Sequence, residues 1–161
     1  MTPIEGLRTG TPVTIQLLSQ LGFAPHSLQF LAVVDDEPHC EWNTEGVVPN
    51  APGVYAFVLT HPEWQGPRVT YVGMTTHLWM VTKGRLPRGG GARPANRYGR
   101  HKYAGSTRVR VNGYVASARR AGCTVSHWLS PRPGFNESEL KRLEGDLIAG
   151  WRLRETGWNV G

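Results

Sequence analysis

The residues whose types and spacing suit chemistry all lie after residue 50. Tyr55 and Tyr71 sit in the stretch GVYAFVLTHPEWQGPRVTYVG, residues 53–73. A phenol can orient a water, or deprotonate one where a neighbour lowers its pKa from near 10. The ordinary alternative is a pair of core tyrosines on half-buried strands. Between Lys83 and Arg110 the chain carries Lys83, Arg85, Arg88, Arg93, Arg97, Arg100, Lys102, Arg108 and Arg110 with no acidic residue. Such one-signed charge suits contact with phosphates, and Tyr98 and Tyr103 within it can stack on bases. The alternative is a solvated basic loop without a ligand.

A third candidate is Glu144. Asn136 followed by Glu139 reads as a capping box that starts a helix running to about Glu155, before Gly157. On the helical wheel Leu143, Leu147, Ile148 and Trp151 gather on the same side as Leu140, and Glu144 falls inside that apolar stripe. Glu139 and Asp146 fall on the opposite, solvated side. A carboxylate facing a core needs a cation or a metal, so Glu144 is either a metal-binding or catalytic carboxylate or one half of a buried salt bridge, with Arg97 as a candidate partner. His127, alone on an alternating segment, reads as a structural residue more readily than as a catalytic one. The same holds for Asp35, Asp36 and Glu37, which read as a solvated loop before a metal site.

The elements that must position these groups are legible in outline. Val54–Leu59 and Val69–Val72 are β-branched and aromatic runs joined by a His-Pro-Glu-Trp-Gln-Gly-Pro loop, which is a hairpin signal. The second strand is expected to end on Gly73, where the missing side chain admits a close approach. Before the hairpin, Thr11-Pro12 is expected to open a helix with Val13, Leu17, Leu18 and Leu21 as its stripe and Gly22 as its stop, and Ser27–Val34 to form a strand. After it, Gly89-Gly90-Gly91 marks a flexible loop over 83–96, Pro94 opens a helix through Asn96–Tyr103, a second helix covers Val111–Ala121, and Cys123–Leu129 forms a strand.

Whole-chain properties bound the rest. At 161 residues the chain fits one domain, with residues 1–50 as an N-terminal helix and strand extension, structural or specificity-modifying, and 51–161 as the functional domain. The formal charge of +6 favours a polyanionic partner. Cys40 and Cys123 make neither a zinc spacing nor a disulfide framework and read as buried hydrophobes in a reducing, cytoplasmic setting. No run is long and apolar enough for a membrane span, and no signal-peptide pattern opens the chain.

Gly53-Val54-Tyr55, Tyr71-Val72-Gly73, an arginine and histidine on a following helix, Glu144 in Leu-Glu-Gly-Asp-Leu-Ile, and Trp158-Asn159 come in an order and spacing that resembles the GIY-YIG endonucleases. The resemblance covers about residues 50 to 161. It implies an α+β domain with a central three-stranded antiparallel sheet flanked by helices. It further implies that Tyr55 and Tyr71 line the site, that Arg97 contacts the scissile phosphate, and that His101 assists deprotonation as in restriction-type members. Glu144 would be the single metal-binding carboxylate, and Asn159 would help hold the site together. Arg97 lies farther beyond Tyr71 than the helix arginine of compact members lies beyond the second motif, which leaves Arg85 and Arg100 as rivals. Arg97 is preferred because it places His101 one helical turn on.

The activity implied is magnesium- or manganese-dependent hydrolysis of DNA phosphodiesters, with double-stranded DNA as partner and a restriction or defence role. Lys83, Arg85, Arg88, Arg93, Arg100 and Lys102 would grip the backbone. Double-strand cleavage by one such site calls for a homodimer or two sequential nicks. The alternatives are a non-catalytic nucleic-acid-binding module on the same scaffold, and a toxin or repair nuclease.

Overall fold

A computed structural model of the chain describes residues 8–29, 51–78 and 106–160. The basic run from Lys83 to Tyr103, the expected helix at Asn96–Tyr103, the acidic Asp35-Asp36-Glu37 and Cys40 lie outside the described residues. In chain order the elements are β1 (Thr11–Pro12), α1 (Ile15–Gln20), β2 (Ala24–Gln29), β3 (Gly53–Thr60), β4 (Arg68–Thr75), α2 (Ser106–Arg120), β5 (Thr124–Pro131), α3 (Glu137–Gly150) and α4 (Leu153–Thr156). The strands form one antiparallel sheet in the order β1-β4-β3-β5-β2, flanked by helices, so the class is α+β.

The sheet has five strands where the resemblance implies three. The hairpin and β5 supply its middle, and the N-terminal stretch up to Gln29 adds a strand to each side: β1 on β4 and β2 on β5. Thr11-Pro12 therefore extends the sheet instead of opening a helix. Proline is tolerated at a sheet edge as well as at a helix start, because either position leaves its missing N–H unneeded. The helix begins later, capped by Thr14, whose Oγ1 accepts from the Leu17 backbone N–H at 3.0 Å. It stops as expected at Gly22, where φ is +80°. The strand expected at Ser27–Val34 starts earlier, at Ala24, because Phe23 N–H closes the helix end onto Leu18 O and the chain then pairs with β5 from Ala24↔Leu129.

Alternation along β3 divides the core. Tyr55, Phe57 and Leu59 point to one face, where they pack with Tyr71, Val125 and Leu129 against Val111, Val115 and Ala118 of α2. Val54, Ala56 and Val58 point to the other, where they pack with Val72 and Trp128 against Ile148 of α3, Trp151, Leu153, and Val13, Leu18 and Phe23 of the N-terminal stretch. A strand buried on both faces explains why 53–59 reads as a continuous apolar run. β4 continues past Gly73 to Thr75, paired to the start of β3. α2 begins at Ser106, ahead of the expected Val111, and β5 occupies Thr124–Pro131.

The capping box of α3 is present: Glu139 N–H donates to Asn136 Oδ1 at 2.8 Å and Asn136 N–H to Glu139 Oε1 at 3.2 Å. The helix does not run unbroken to Glu155. Arg152 adopts a left-handed conformation, φ 54° and ψ 40°, and α4 resumes after it. At the break the Thr11 hydroxyl donates to the Trp151 carbonyl and bonds to the Thr156 hydroxyl. No helix among the described residues is long and apolar enough to cross a membrane.

Candidate active site

Tyr55 and Tyr71 share one face of the hairpin, with ring centroids 6.2 Å apart. Tyr55 is fully buried and Tyr71 is 7% exposed. Gly73 stands opposite Tyr55 in the ladder, and a Cβ added there would lie 2.8 Å from Tyr55 Cε1 and closer still to its Cζ and hydroxyl oxygen. The close approach that the glycine admits is thus made by the phenol of the neighbouring strand. His127 on β5 completes the cluster. It is 1% exposed, its ring meets Tyr55 edge-on at 5.3 Å, and it stacks on Phe57 at 5.0 Å. Its alternating segment signals burial, but the ladder that brings β5 beside β3 is a long-range pairing.

Asn159 is buried, and its side-chain amide makes two hydrogen bonds to one residue of β4. Val72 N–H donates to Oδ1 at 3.0 Å, and Nδ2 donates to Val72 O at 2.9 Å. Trp158 N–H donates to Thr70 O at 2.7 Å. Where β1 stops, the C-terminal segment takes over the outer edge of β4, and Asn159 acts as a one-residue strand. That placement holds the strand carrying Tyr71 and Gly73.

Glu144 is half-buried on α3, between Leu140 and Ile148 along the helix, while Glu139 and Asp146 are exposed. It lies in the opposite layer from the tyrosines: α3 packs through Leu143, Leu147 and Ile148 on the Val54–Val58 face. Thr11 pairs with Val69 and bonds to the Trp151 carbonyl, which fixes the C-terminal end of α3 at the start of β4. Glu144 lies about two turns earlier on the helix. On the other face the ring of His61, just past β3, bonds to Ala121 O at 3.1 Å, just past the end of α2. Leu78 has its N–H on Ala51 O and its side chain against Gly53.

Arg97, His101 and the backbone-gripping candidates Lys83, Arg85, Arg88, Arg93, Arg100 and Lys102 lie outside the described residues. Glu144 fits the way a magnesium ion is commonly held, by one or two carboxylates with waters and substrate phosphates. Among the described residues no three His, Cys, Asp or Glu side chains gather into a metal cage. Cys123 is buried, and burial pushes its thiol above the usual range against a smaller opposing effect of Arg68. Burial of this kind suits a packing role for Cys123. Comparison with protein-family models, curated proteins and solved structures returns no match.

Proposed function

We propose that the chain is a magnesium-dependent DNA endonuclease of the GIY-YIG type, acting in restriction or defence. The observation that carries this reading is the interlock of Tyr55 with Gly73 beside Tyr71. It gives a physical reason for a glycine two residues after the second tyrosine, and it fixes both phenols on one face of the hairpin. Asn159 supports the same strand through Val72, while Glu144 stands in the opposite layer and its part in the site rests on the resemblance.

On this reading Tyr55 orients the attacking water and Tyr71 shapes the pocket wall. Arg97 holds a nonbridging oxygen through its planar fork, and His101, four residues further along the sequence, receives a proton. Glu144 would hold the magnesium ion, which when bound stabilises charge on the departing 3′ oxygen. Asn159 keeps β4 in register and does not touch the reacting atoms.

The test is incubation of supercoiled plasmid with wild type and Glu144→Ala, each with magnesium and with EDTA. Wild type with magnesium is expected to nick or linearise the plasmid, while Glu144→Ala binds DNA without cutting it. Undiminished cleavage by the purified mutant would sink the assignment of Glu144. One observation favours a second reading, a nucleic-acid-binding module without activity: Tyr55 has no exposed surface. That reading expects metal-independent binding and no cleavage of duplex DNA, single strands or RNA.

A further inference from the structure

Arg152, between α3 and α4, holds a left-handed backbone, φ 54° and ψ 40°. In that conformation the Cβ of an L residue crowds its own backbone, a cost that glycine escapes. At the other left-handed positions among the described residues the chain places glycine: Gly10, Gly22, Gly122 and Gly134. An arginine kept where glycine is easier points to a use for its side chain. That side chain is 69% exposed, and its Nε donates to Glu155 Oε2 at 3.0 Å.

The fold gathers three further arginines around it, from separate stretches of chain, along the outer edge of β4. Arg8 donates from Nη2 to the carbonyls of Arg154 and Glu155, and Arg154 is itself exposed. Thr9, next to Arg8, accepts from Arg68 Nη1 at 2.9 Å, and the Arg68 guanidinium lies 4.4 Å from the centroid of the Trp64 ring. Gly10 N–H on Thr156 O and the pairing of Thr11 with Val69 hold these stretches side by side. Glu155 offsets one of the four charges. Arg8 and Arg68 are already anchored, which reduces the side-chain freedom lost when an anion binds.

We infer that Arg8, Arg68, Arg152 and Arg154 form a second contact surface for the phosphate backbone of duplex DNA, on the outer edge of the strand that carries Tyr71 and Gly73. The inference rests on the nuclease reading for the identity of the polyanion. Arg68 stands three residues before Tyr71 on β4, about 10 Å away, a span over which duplex DNA presents several phosphates. Each guanidinium offers a planar fork of N–H donors that suits a phosphate.

The experiment measures binding of a short fluorescent DNA duplex in EDTA over a series of salt concentrations, together with thermal midpoints. The proteins are wild type, Arg152→Gly, Arg154→Gln, the two combined, and Arg142→Gln, which removes an exposed arginine near the middle of α3. Arg152→Gly is expected to melt near the wild-type midpoint, because glycine accepts the left-handed backbone, and yet to bind about threefold more weakly. The combined variant is expected to bind about tenfold more weakly and to lower the slope of log affinity against log salt by about 2. A combined variant that matches Arg142→Gln in affinity and slope overturns the inference. So does a loss in Arg152→Gly that follows a lowered midpoint while Arg154→Gln binds as wild type does. In either case cleavage by wild type leaves the nuclease reading standing, whereas wild type that neither binds nor cuts nucleic acid removes both.

Discussion

At the scale of single residues, Tyr55 and Gly73 behave as one unit. An alanine methyl at Gly73 would occupy the space of the Tyr55 ring, 2.8 Å from Cε1 and nearer still to Cζ, and that ring is itself fully buried. Overpacking of this kind costs about 1–3 kcal/mol, so Gly73→Ala is expected to be destabilised by that amount in urea unfolding. Replacing the ring as well, in Tyr55→Leu with Gly73→Ala, is expected to recover part of the loss, giving a coupling well outside additivity. Gly73→Ala as stable as wild type would show that the ring does not lie over the glycine. Asn159 makes a second residue-scale case. Asn159→Ala leaves the N–H and carbonyl of Val72 unmet in a buried site, with an expected cost of about 2–4 kcal/mol. Asn159→Asp keeps the acceptor for Val72 N–H but faces a carboxylate oxygen to Val72 O, so it is expected to be less stable than its near-identical shape suggests. Unfolding midpoints of the two variants check both statements.

At the scale of elements, local signals translate directly into structure and long-range ones do not. The capping box at Asn136 and Glu139 depends on four consecutive residues and is legible in them. Asn136→Ala is expected to cost about 1 kcal/mol, read as a lowered thermal midpoint, with DNA affinity unchanged because the cap lies a full two turns from Glu144. The hairpin is legible for the same reason, since alternating apolar runs and a proline-bounded loop specify it locally. Thr11-Pro12 is not, because a threonine before proline serves a helix start and an edge strand equally, and only the pairing with Val69 and Arg68 decides between them. The carbonyl freed at the break before Arg152 is met by a hydroxyl far away in sequence, on Thr11, which no helical periodicity contains. For the candidate site, the half-burial of Glu144 can be read from pattern, whereas the tyrosines as a pair and Asn159 come from the resemblance. The layer of Glu144 cannot be read from pattern: a stripe angle says that a side chain faces a core, and not which face of the sheet that core covers. The nearness of His127 to Tyr55 likewise depends on β5 lying beside β3.

At the scale of the molecule, the N-terminal stretch from Arg8 to Gln29 belongs to the same folding unit as the candidate site. Arg8 donates from Nη2 to Arg154 O at 2.8 Å and to Glu155 O at 2.9 Å, Trp158 Nε1 donates to Arg8 O at 2.9 Å, and Gly10 N–H donates to Thr156 O at 2.9 Å. These bonds tie the two terminal stretches together along the outer edge of β4, next to the segment where Asn159 holds Val72. Val13, Leu18 and Phe23 are buried in the same layer as α3. Burial of such side chains stabilises by about 1.5–3 kcal/mol each, and their combined contribution is comparable with the ~5–15 kcal/mol by which a domain is stable at all. A fragment of residues 51–161 would also leave the outer edge of β5 without β2 and part of β4 without β1. It is therefore expected to show no cooperative thermal transition and to lose the near-ultraviolet signature of its packed aromatic cluster, whereas the full chain shows both. A fragment that melts cooperatively near the midpoint of the full chain would mean that the N-terminal stretch is an accessory. A fragment that fails to fold would place the cost of losing this stretch on the strand that carries Tyr71 and Gly73, and so on the geometry that the proposed chemistry requires.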